Sequence, residues 1–324
     1  ERVIKQRPWY FSGVFADTKN KDIVYVLNVA YHKSTDGGKT FSTDWAQHAD
    51  NHDMWINPDN PNIMIIGNDG GATITFNGGL SWSEQDFPTG QFYHVAIDNR
   101  FPYRIYGAQQ DNTSISISSR SFGWEIGRGD WYNCAWGESG YIAPHPFKKE
   151  VTFGGNYSGA IYRYDRDLGH TTMVNVYPEV VVGEGANKMK ERFQWTFPVI
   201  FSPFSTPEKT ILYATSQMVH RSYDEGLHWE TISPDLTRND KTKLEPSGGP
   251  ISKDNTGVEI YNTIFTFTES GIMQGKLWAG RDDGLVHVSN DNGKSWQNVT
   301  PKLIPDNTQI SIIEASHFNK NKAY

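Results

Sequence analysis

The chain has 324 residues and carries 30 lysines and arginines against 37 aspartates and glutamates, a formal charge of −7. That mild acidity argues against a general nucleic-acid binder, which presents a basic face, and no run is long and apolar enough to cross a membrane as a helix. Aromatics at 14 % and 30 glycines suit many short strands joined by tight turns; the lone cysteine, Cys134, permits no internal disulfide and reads as a small buried apolar side chain.

No leader is visible and Glu1 is not a natural start, so a processed or truncated N terminus is expected. The first strong signal is Ser34-Thr35-Asp36-Gly37-Gly38-Lys39-Thr40-Phe41. It returns as Thr75-Phe76-Asn77-Gly78-Gly79-Leu80-Ser81-Trp82, as Ser222-Tyr223-Asp224-Glu225-Gly226-Leu227-His228-Trp229, and as Ser289-Asn290-Asp291-Asn292-Gly293-Lys294-Ser295-Trp296. Each copy reads as a hairpin turn between two strands. The carbonyl oxygens of Asp36, Asn77, Asp224 and Asp291 accept backbone N–H bonds inside the turn, the later glycine takes a positive φ, and the final aromatic buries its ring between repeating units. These acidic residues are therefore expected to be structural rather than catalytic.

A second phrase precedes each turn: a strand, a turn rich in Pro, Asn and Asp, and a second strand ending in Gly or Ala. Trp55 to Gly67 shows it, followed by Ile97 to Gly107, Ala143-Pro144-His145-Pro146, Phe201-Ser202-Pro203-Phe204 and Glu314 to Phe318. Period-two alternation marks these as strands. A four-stranded meander repeated about every 40 residues is a propeller blade. Asp36 to Asn77 is one blade. Asn77 to Asp224 is long enough for two further blades with degraded turns, near Ser118–Trp124 and Tyr164–Gly169. Asp224 to Asp291 is one blade with a polar insertion at 234–255; another insertion lies at 175–192. Thr308 to Tyr324 reads as the start of a further blade. The expected fold is all-β: a β-propeller of about six blades plus the start of a seventh, in a piece of a longer chain or in a ring whose first strands close with its last.

In such a blade the repeat turn joins strands three and four. The loops between strands two and three, and the blade-to-blade connections, lie at the opposite end. That end collects Asn68-Asp69, Gln109-Gln110-Asp111-Asn112, Asn156-Tyr157, Ser216-Gln217 and Arg281-Asp282-Asp283, with His48, Asp50, Asn51, His52, Glu138, Asp254 and Glu259 from the connections. The candidate ligand residues are Asp50, His52, Asp69, Gln110, Asp111, Glu138, Asp282 and Asp283. On an extended segment Asp50 and His52 share a face, and with Asp69 they offer donors for a divalent cation. Hydrogen bonding between loops is the preferred reading, and no cofactor is expected. Glycoside hydrolysis needs two facing carboxylates; Asp50, Asp69, Asp111, Glu138, Asp282 and Asp283 are the pool, and none is singled out. Trp195 is able to stack on a sugar, although an aromatic in such a strand more often fills core. No Gly-x-Ser-x-Gly elbow, phosphate loop or paired Cys/His metal spacing occurs.

The four turns are similar to the Asp-box, or BNR, repeat. With Asp50-Asn51-His52, Gly67-Asn68-Asp69-Gly70-Gly71, Tyr106 to Asn112, Glu138-Ser139-Gly140-Tyr141, Ser233 to Asp240 and Ala279 to Gly284, the chain resembles a bacterial family of secreted Asp-box propellers, often labelled glycosyl hydrolase or sortilin-like. The resemblance implies a secreted, periplasmic or cell-surface protein that holds a peptide, protein or glycan. The alternative it implies is a glycoside hydrolase of the xyloglucanase-like type using two carboxylates, and a third is a structural module in a larger surface assembly. Scattered arginines and the lack of an early Arg-Ile-Pro phrase speak against a sialidase.

Overall fold

The computed structural model describes residues 3–85 and 90–324. Among these the chain is all-β, a β-propeller architecture of antiparallel meanders, with five four-stranded sheets, one three-stranded sheet and no α-helix. Blade 1 is β1 (Gly13–Ala16), β2 (Val24–Leu27), β3 (Tyr31–Ser34) and β4 (Ser42–Asp44). Blade 2 is β5 (Asn51–Ile56), β6 (Met64–Asn68) and β7 (Gly71–Thr75); beyond it Ser83 donates to the Ile74 carbonyl at 2.8 Å. Blade 3 is β8 (Phe92–Ile97), β9 (Arg104–Gln109), β10 (Ser114–Ser118) and β11 (Trp131–Asn133). Blade 4 is β12 (Ile142–Pro144), β13 (Val151–Asn156), β14 (Ala160–Asp165) and β15 (His170–Met173). Blade 5 is β16 (Val199–Phe201), β17 (Leu212–Thr215), β18 (Val219–Ser222) and β19 (Glu230–Thr231). Blade 6 is β20 (Ile264–Glu269), β21 (Leu277–Arg281), β22 (Val286–Ser289) and β23 (Gln297–Asn298).

The described residues form two compact units. One holds blades 1 and 2 together with residues 247–254; the other holds blades 3 to 6. Four hydrophobic clusters lie between consecutive blades of the same unit. In the first unit Tyr25, Leu27 and Tyr31 of blade 1 pack on Met54, Ile56, Met64 and Ile66 of blade 2. In the second, Val151, Phe153 and Ile161 of blade 4 pack on Val199, Leu212 and Ala214 of blade 5, and Tyr213 and Val219 of blade 5 pack on Ile264, Phe267, Leu277 and Ala279 of blade 6. Each fully buried valine, leucine, isoleucine, methionine or phenylalanine among them contributes about 1.5–3 kcal/mol. Cys134 is buried among Tyr106, Ala108, Ala135 and Ile142, and burial pushes its thiol up to about 12.

The repeat turns form as their residue types require. Asp36 Oδ1 accepts the N–H groups of Lys39 and Thr40 at 3.0 and 2.9 Å, while Ser34 Oγ accepts the Gly38 N–H at 2.9 Å. The pattern recurs at Asn77, Asp224 and Asp291, which accept from Ser81, His228 and Ser295 at 3.0, 2.9 and 2.9 Å. The fifth position is glycine in all four, with φ between 83° and 88°. At Gly226 and Gly293 a Cβ would also stand 2.9 Å from Val174 and Ile232 of the preceding blade. The closing tryptophan points the same way: Trp229 Nε1 donates to the Val174 carbonyl and Trp296 Nε1 to that of Ile232, both at 2.9 Å.

A cation just before the turn of one blade latches the turn of the next. Lys33 Nζ donates to the Gly78 carbonyl at 2.9 Å, Arg163 Nε to the Glu225 carboxylate at 2.8 Å, and Arg221 Nη1 to Asn292 Oδ1 at 2.7 Å. The corresponding residues ahead of blades 3 and 4, which lack the repeat sequence, are Ile74 and Ile117.

The turn expected near Ser118–Trp124 is a longer loop, residues 119–130, and that near Tyr164–Gly169 is a tight connection between β14 and β15. The parts of the insertions at 175–192 and 234–255 that belong to the second unit are tied together: Gly183 donates to the Asn255 carbonyl at 2.7 Å and Asn187 to that of Leu244 at 3.0 Å. Near the end of the chain, Glu314 and Tyr324 exchange backbone bonds of 3.0 and 2.9 Å, and Ile313 donates to Thr266 Oγ1 of blade 6 at 3.1 Å. This hairpin is in keeping with the opening strands of a further blade.

Candidate functional site

In the first unit, β5 and the β6–β7 loop bring His52 and Asp69 together, Nε2 to Oδ1 at 2.7 Å. The His52 ring also meets Tyr10 edge-on at 5.8 Å and Phe11 at 4.6 Å. Asp50 turns elsewhere. Its φ of 56° takes it out of the extended path, and its carboxylate lies 3.5 Å from Arg7 Nη1. The expectation that Asp50 and His52 work as alternate residues of one strand is thereby corrected: a left-handed residue breaks the period-two rule. Among the described residues no group of three His, Cys, Asp or Glu side chains is placed to hold a metal ion.

In the second unit, the end opposite the repeat turns carries an aromatic shelf. Tyr157, after β13, stacks on Trp195 with ring centroids 5.2 Å apart and planes 13° from parallel. Tyr93 of β8 meets Trp195 at 6.3 Å, and its hydroxyl donates to Gln110 Oε1. Three blades supply these rings. Phe193 and Phe197, on either side of Trp195, are buried in the core, whereas Trp195 is only half-buried and belongs to the surface.

Beside the shelf stand two carboxylates. Glu138 Oε2 accepts the Asp111 backbone N–H at 2.7 Å, and Asp111 holds the left-handed φ of 55° that this bond needs. Neither carboxylate has an ion-pair partner among the described residues. Burial, with the neighbouring Asp111 charge, raises the Glu138 carboxyl above the ordinary range even though the Asp111 N–H bond opposes this. Burial also raises the Tyr93 and Tyr157 hydroxyls, and the Glu138 charge adds to both. An uncompensated carboxylate pair against half-buried aromatic rings is a common mark of a ligand site.

Asp282 and Asp283 occupy the same end but are built into the protein. Asp282 is 5 % exposed; it accepts the Thr263 N–H at 3.0 Å and the Thr263 hydroxyl at 2.7 Å, and Gln194 Nε2 lies at 3.5 Å. Burial lifts its carboxyl to about 7 against those hydrogen bonds. Asp283 is fully buried, accepts the Arg238 N–H at 2.6 Å and lies 3.7 Å from the buried Arg281 guanidinium. Nearby, Arg192 pairs with Asp235 at 2.9 Å, and Glu191 accepts the Ser216 hydroxyl at 2.7 Å next to His220. These groups stitch the 190s and the 230s to blades 5 and 6. Sequence reading missed Tyr93 and the Arg192–Asp235 pair; Trp195 and Tyr157 were visible as residues but not as a stack.

No family model and no curated protein matches the chain. Among solved structures it is similar to one described as YCF48 bound to D1 peptide, at 12 % identity and a TM-score of 0.37, over 90 % of this chain and 87 % of that one. It is also similar to the GH74 xyloglucanase from Xanthomonas campestris, at 12 % identity and a TM-score of 0.29, over 94 % of this chain and 62 % of that one.

Proposed function

We propose that the chain is a secreted or cell-surface Asp-box propeller that binds an extended peptide or protein segment at the end opposite its repeat turns. A cationic side chain of the ligand lies against the Tyr93–Tyr157–Trp195 shelf and is neutralised by Glu138 and Asp111. The observation that supports this reading is the carboxylate pair without a counter-cation beside stacked rings. A ligand ammonium or guanidinium relieves the repulsion between the acids and gains a cation–π contact of about 1–2 kcal/mol where water is partly excluded. A neutral glycan meets the rings but leaves the acids uncompensated.

The test is titration with short peptides that differ only in charge. Lysine- or arginine-bearing peptides are expected to bind, with affinity falling as salt rises, and Glu138→Gln or Trp195→Ala is expected to weaken them about tenfold. Equal binding of cationic and acidic peptides would overturn the assignment. A second reading, glycoside hydrolysis, is favoured only by Asp282, whose carboxyl burial lifts to about 7, in the range that suits a general acid. Reducing ends released from a polysaccharide panel by the wild type but not by Asp282→Asn would support it; release by neither removes it.

A further inference from the structure

We propose that the repeat-turn end of blade 3 docks on an anionic lipid bilayer. The side chains of Phe101, Phe122 and Trp124 enter the interfacial layer, and the cationic groove behind them holds a lipid phosphate.

The placement begins with a lost motif. Where a repeat turn would join β10 to β11, the chain runs through the loop 119–130, which reads Ser-Arg-Ser-Phe-Gly-Trp-Glu-Ile-Gly-Arg-Gly-Asp. At its tip Phe122 and Trp124 are 104 % and 107 % exposed, as open to water as in a free peptide. Phe101, on the β8–β9 turn at the same end of the blade, is 90 % exposed. Large apolar side chains held wholly in water forgo all the burial free energy open to them, and a contiguous group of them marks an interaction surface.

Their surroundings select the partner. Phe101 and Phe122 border a groove of about 340 Å³ that is also lined by Arg100, Arg104, Arg120 and Lys149. Arg100 is neutralised by Asp98 and Glu150. The others are not. Arg104 bonds only neutral groups: Ser116 Oγ, the Ser116 carbonyl and the Asp130 carbonyl, at 2.6, 2.9 and 2.8 Å. Arg120, Arg128 and Lys149 have no ion pair among the described residues. Against these four cations stand Glu125 and Asp130, and the Asp130 carboxylate is engaged by the Gly127 N–H at 2.8 Å. The edge is thus locally positive on a chain of charge −7. Phe101 and Phe122 form part of the groove wall, and Trp124 lies beside them at the exposed loop tip. A bilayer interface offers anionic phosphates and an apolar layer just below them, the two chemistries that these cations and rings combine. Tryptophan and phenylalanine settle at headgroup level, and nearby Lys and Arg add attraction to anionic leaflets. Docked in this way, the second unit keeps its Tyr157–Trp195 shelf at the end turned away from the membrane.

The experiment is co-sedimentation of the whole protein with vesicles of phosphatidylcholine alone and of phosphatidylcholine with one quarter phosphatidylglycerol, with tryptophan emission followed in parallel. Binding to the anionic vesicles with a blue shift is expected. Both Phe122→Ser/Trp124→Ser and Arg120→Gln/Arg128→Gln/Lys149→Gln are expected to lower the partition constant at least about tenfold. All these side chains are exposed, and a thermal midpoint within a degree or two of the wild type verifies the fold. Failure of the wild type to sediment with anionic vesicles at low salt overturns the proposal, as does undiminished binding by the aromatic variant. Release by inorganic phosphate beyond that caused by sodium chloride of equal ionic strength assigns the groove to a free anion and overturns it too.

Discussion

Arg221, the last residue before the repeat turn of blade 5, donates from Nη1 to both Oδ1 and the main-chain carbonyl of Asn292 in the turn of blade 6, at 2.7 and 3.2 Å. Its Nε binds Glu230 at 2.6 Å, so one guanidinium spans the joint. Hydrogen bonds from charged groups are worth about 1.5–3 kcal/mol each when one partner is lost. Arg221→Met is therefore expected to cost about 2 kcal/mol or more in urea unfolding. Lys33→Met, which loses a single charged bond to the Gly78 carbonyl, is expected to cost less, about 1.5 kcal/mol. The reverse order would remove the latch as a stabilising device.

Gly226 is constrained twice, by a φ of 86° and by Val174 at 2.9 Å from the position of an added Cβ. Gly226→Ala is expected to destabilise by more than about 1 kcal/mol. Gly271→Ala, where no atom lies within 4 Å and φ is not positive, serves as the comparison and is expected to be close to neutral. Thermal melts of the two variants decide this.

Acid weakens the turns by a defined route. The Thr40 hydroxyl, then the Thr40 N–H and Ser34, hold the Asp36 carboxyl far below its ordinary value; bonds from the Ser295 hydroxyl and N–H lower that of Asp291. A carboxyl depressed by folding adds stability that is complete above the unfolded value, about 4, and is lost as pH falls through the folded value. Urea midpoints of the wild type are expected to drop on going from pH 5 toward pH 2. Asn77 shows how an amide serves instead, its Nδ2 donating to Ser81 Oγ at 2.8 Å. Asp36→Asn/Asp291→Asn is thus expected to fold and to show a shallower acid limb; an unchanged limb would place the titration elsewhere.

Glu138 gives a second, independent pH signature. Burial and the Asp111 charge raise its carboxyl, so its ionised form is lost earlier on acidification than that of an exposed glutamate near 4.3. Affinity for a cationic peptide is expected to hold at neutral pH and to begin falling above the usual glutamate range. Glu138→Gln is expected to bind weakly with a flatter profile, and a parallel fall in both proteins would assign the effect to another group.

Local chemistry was legible and inter-blade chemistry was not. The side-chain bonds that shape the turn at Asp36 span at most four residues, so the motif carries most of its own geometry, and four copies sufficed to order the strands. The shelf is different. Tyr93, Tyr157 and Trp195 come from three blades, and no spacing in the chain announces that two of the rings stack. Asp282 and Asp283 read as open ligands because they are polar and sit in a loop. Thr263 and Arg238, distant in sequence, bury them. Asp50 reads as one residue of an extended connection that shares a face with His52; its left-handed backbone turns it toward Arg7 instead. The latching cations Lys33, Arg163 and Arg221 stand in the sequence just before the turns of blades 1, 4 and 5, but their meaning rests on the blade that follows.

That offset has an evolutionary reading. Lys33, Arg163 and Arg221 each sit in one blade and bind the turn of the next, while Ile74 and Ile117 precede blades without the motif. The segment copied as a functional whole is then not a blade but a joint, from the end of one third strand through the following turn. A gene rearrangement that moved a blade alone would strand a lysine or arginine on one side and leave a turn unfastened on the other. Moving joints keeps both halves, so chimaeras cut within the first two strands of a blade should fold where those cut at blade boundaries do not.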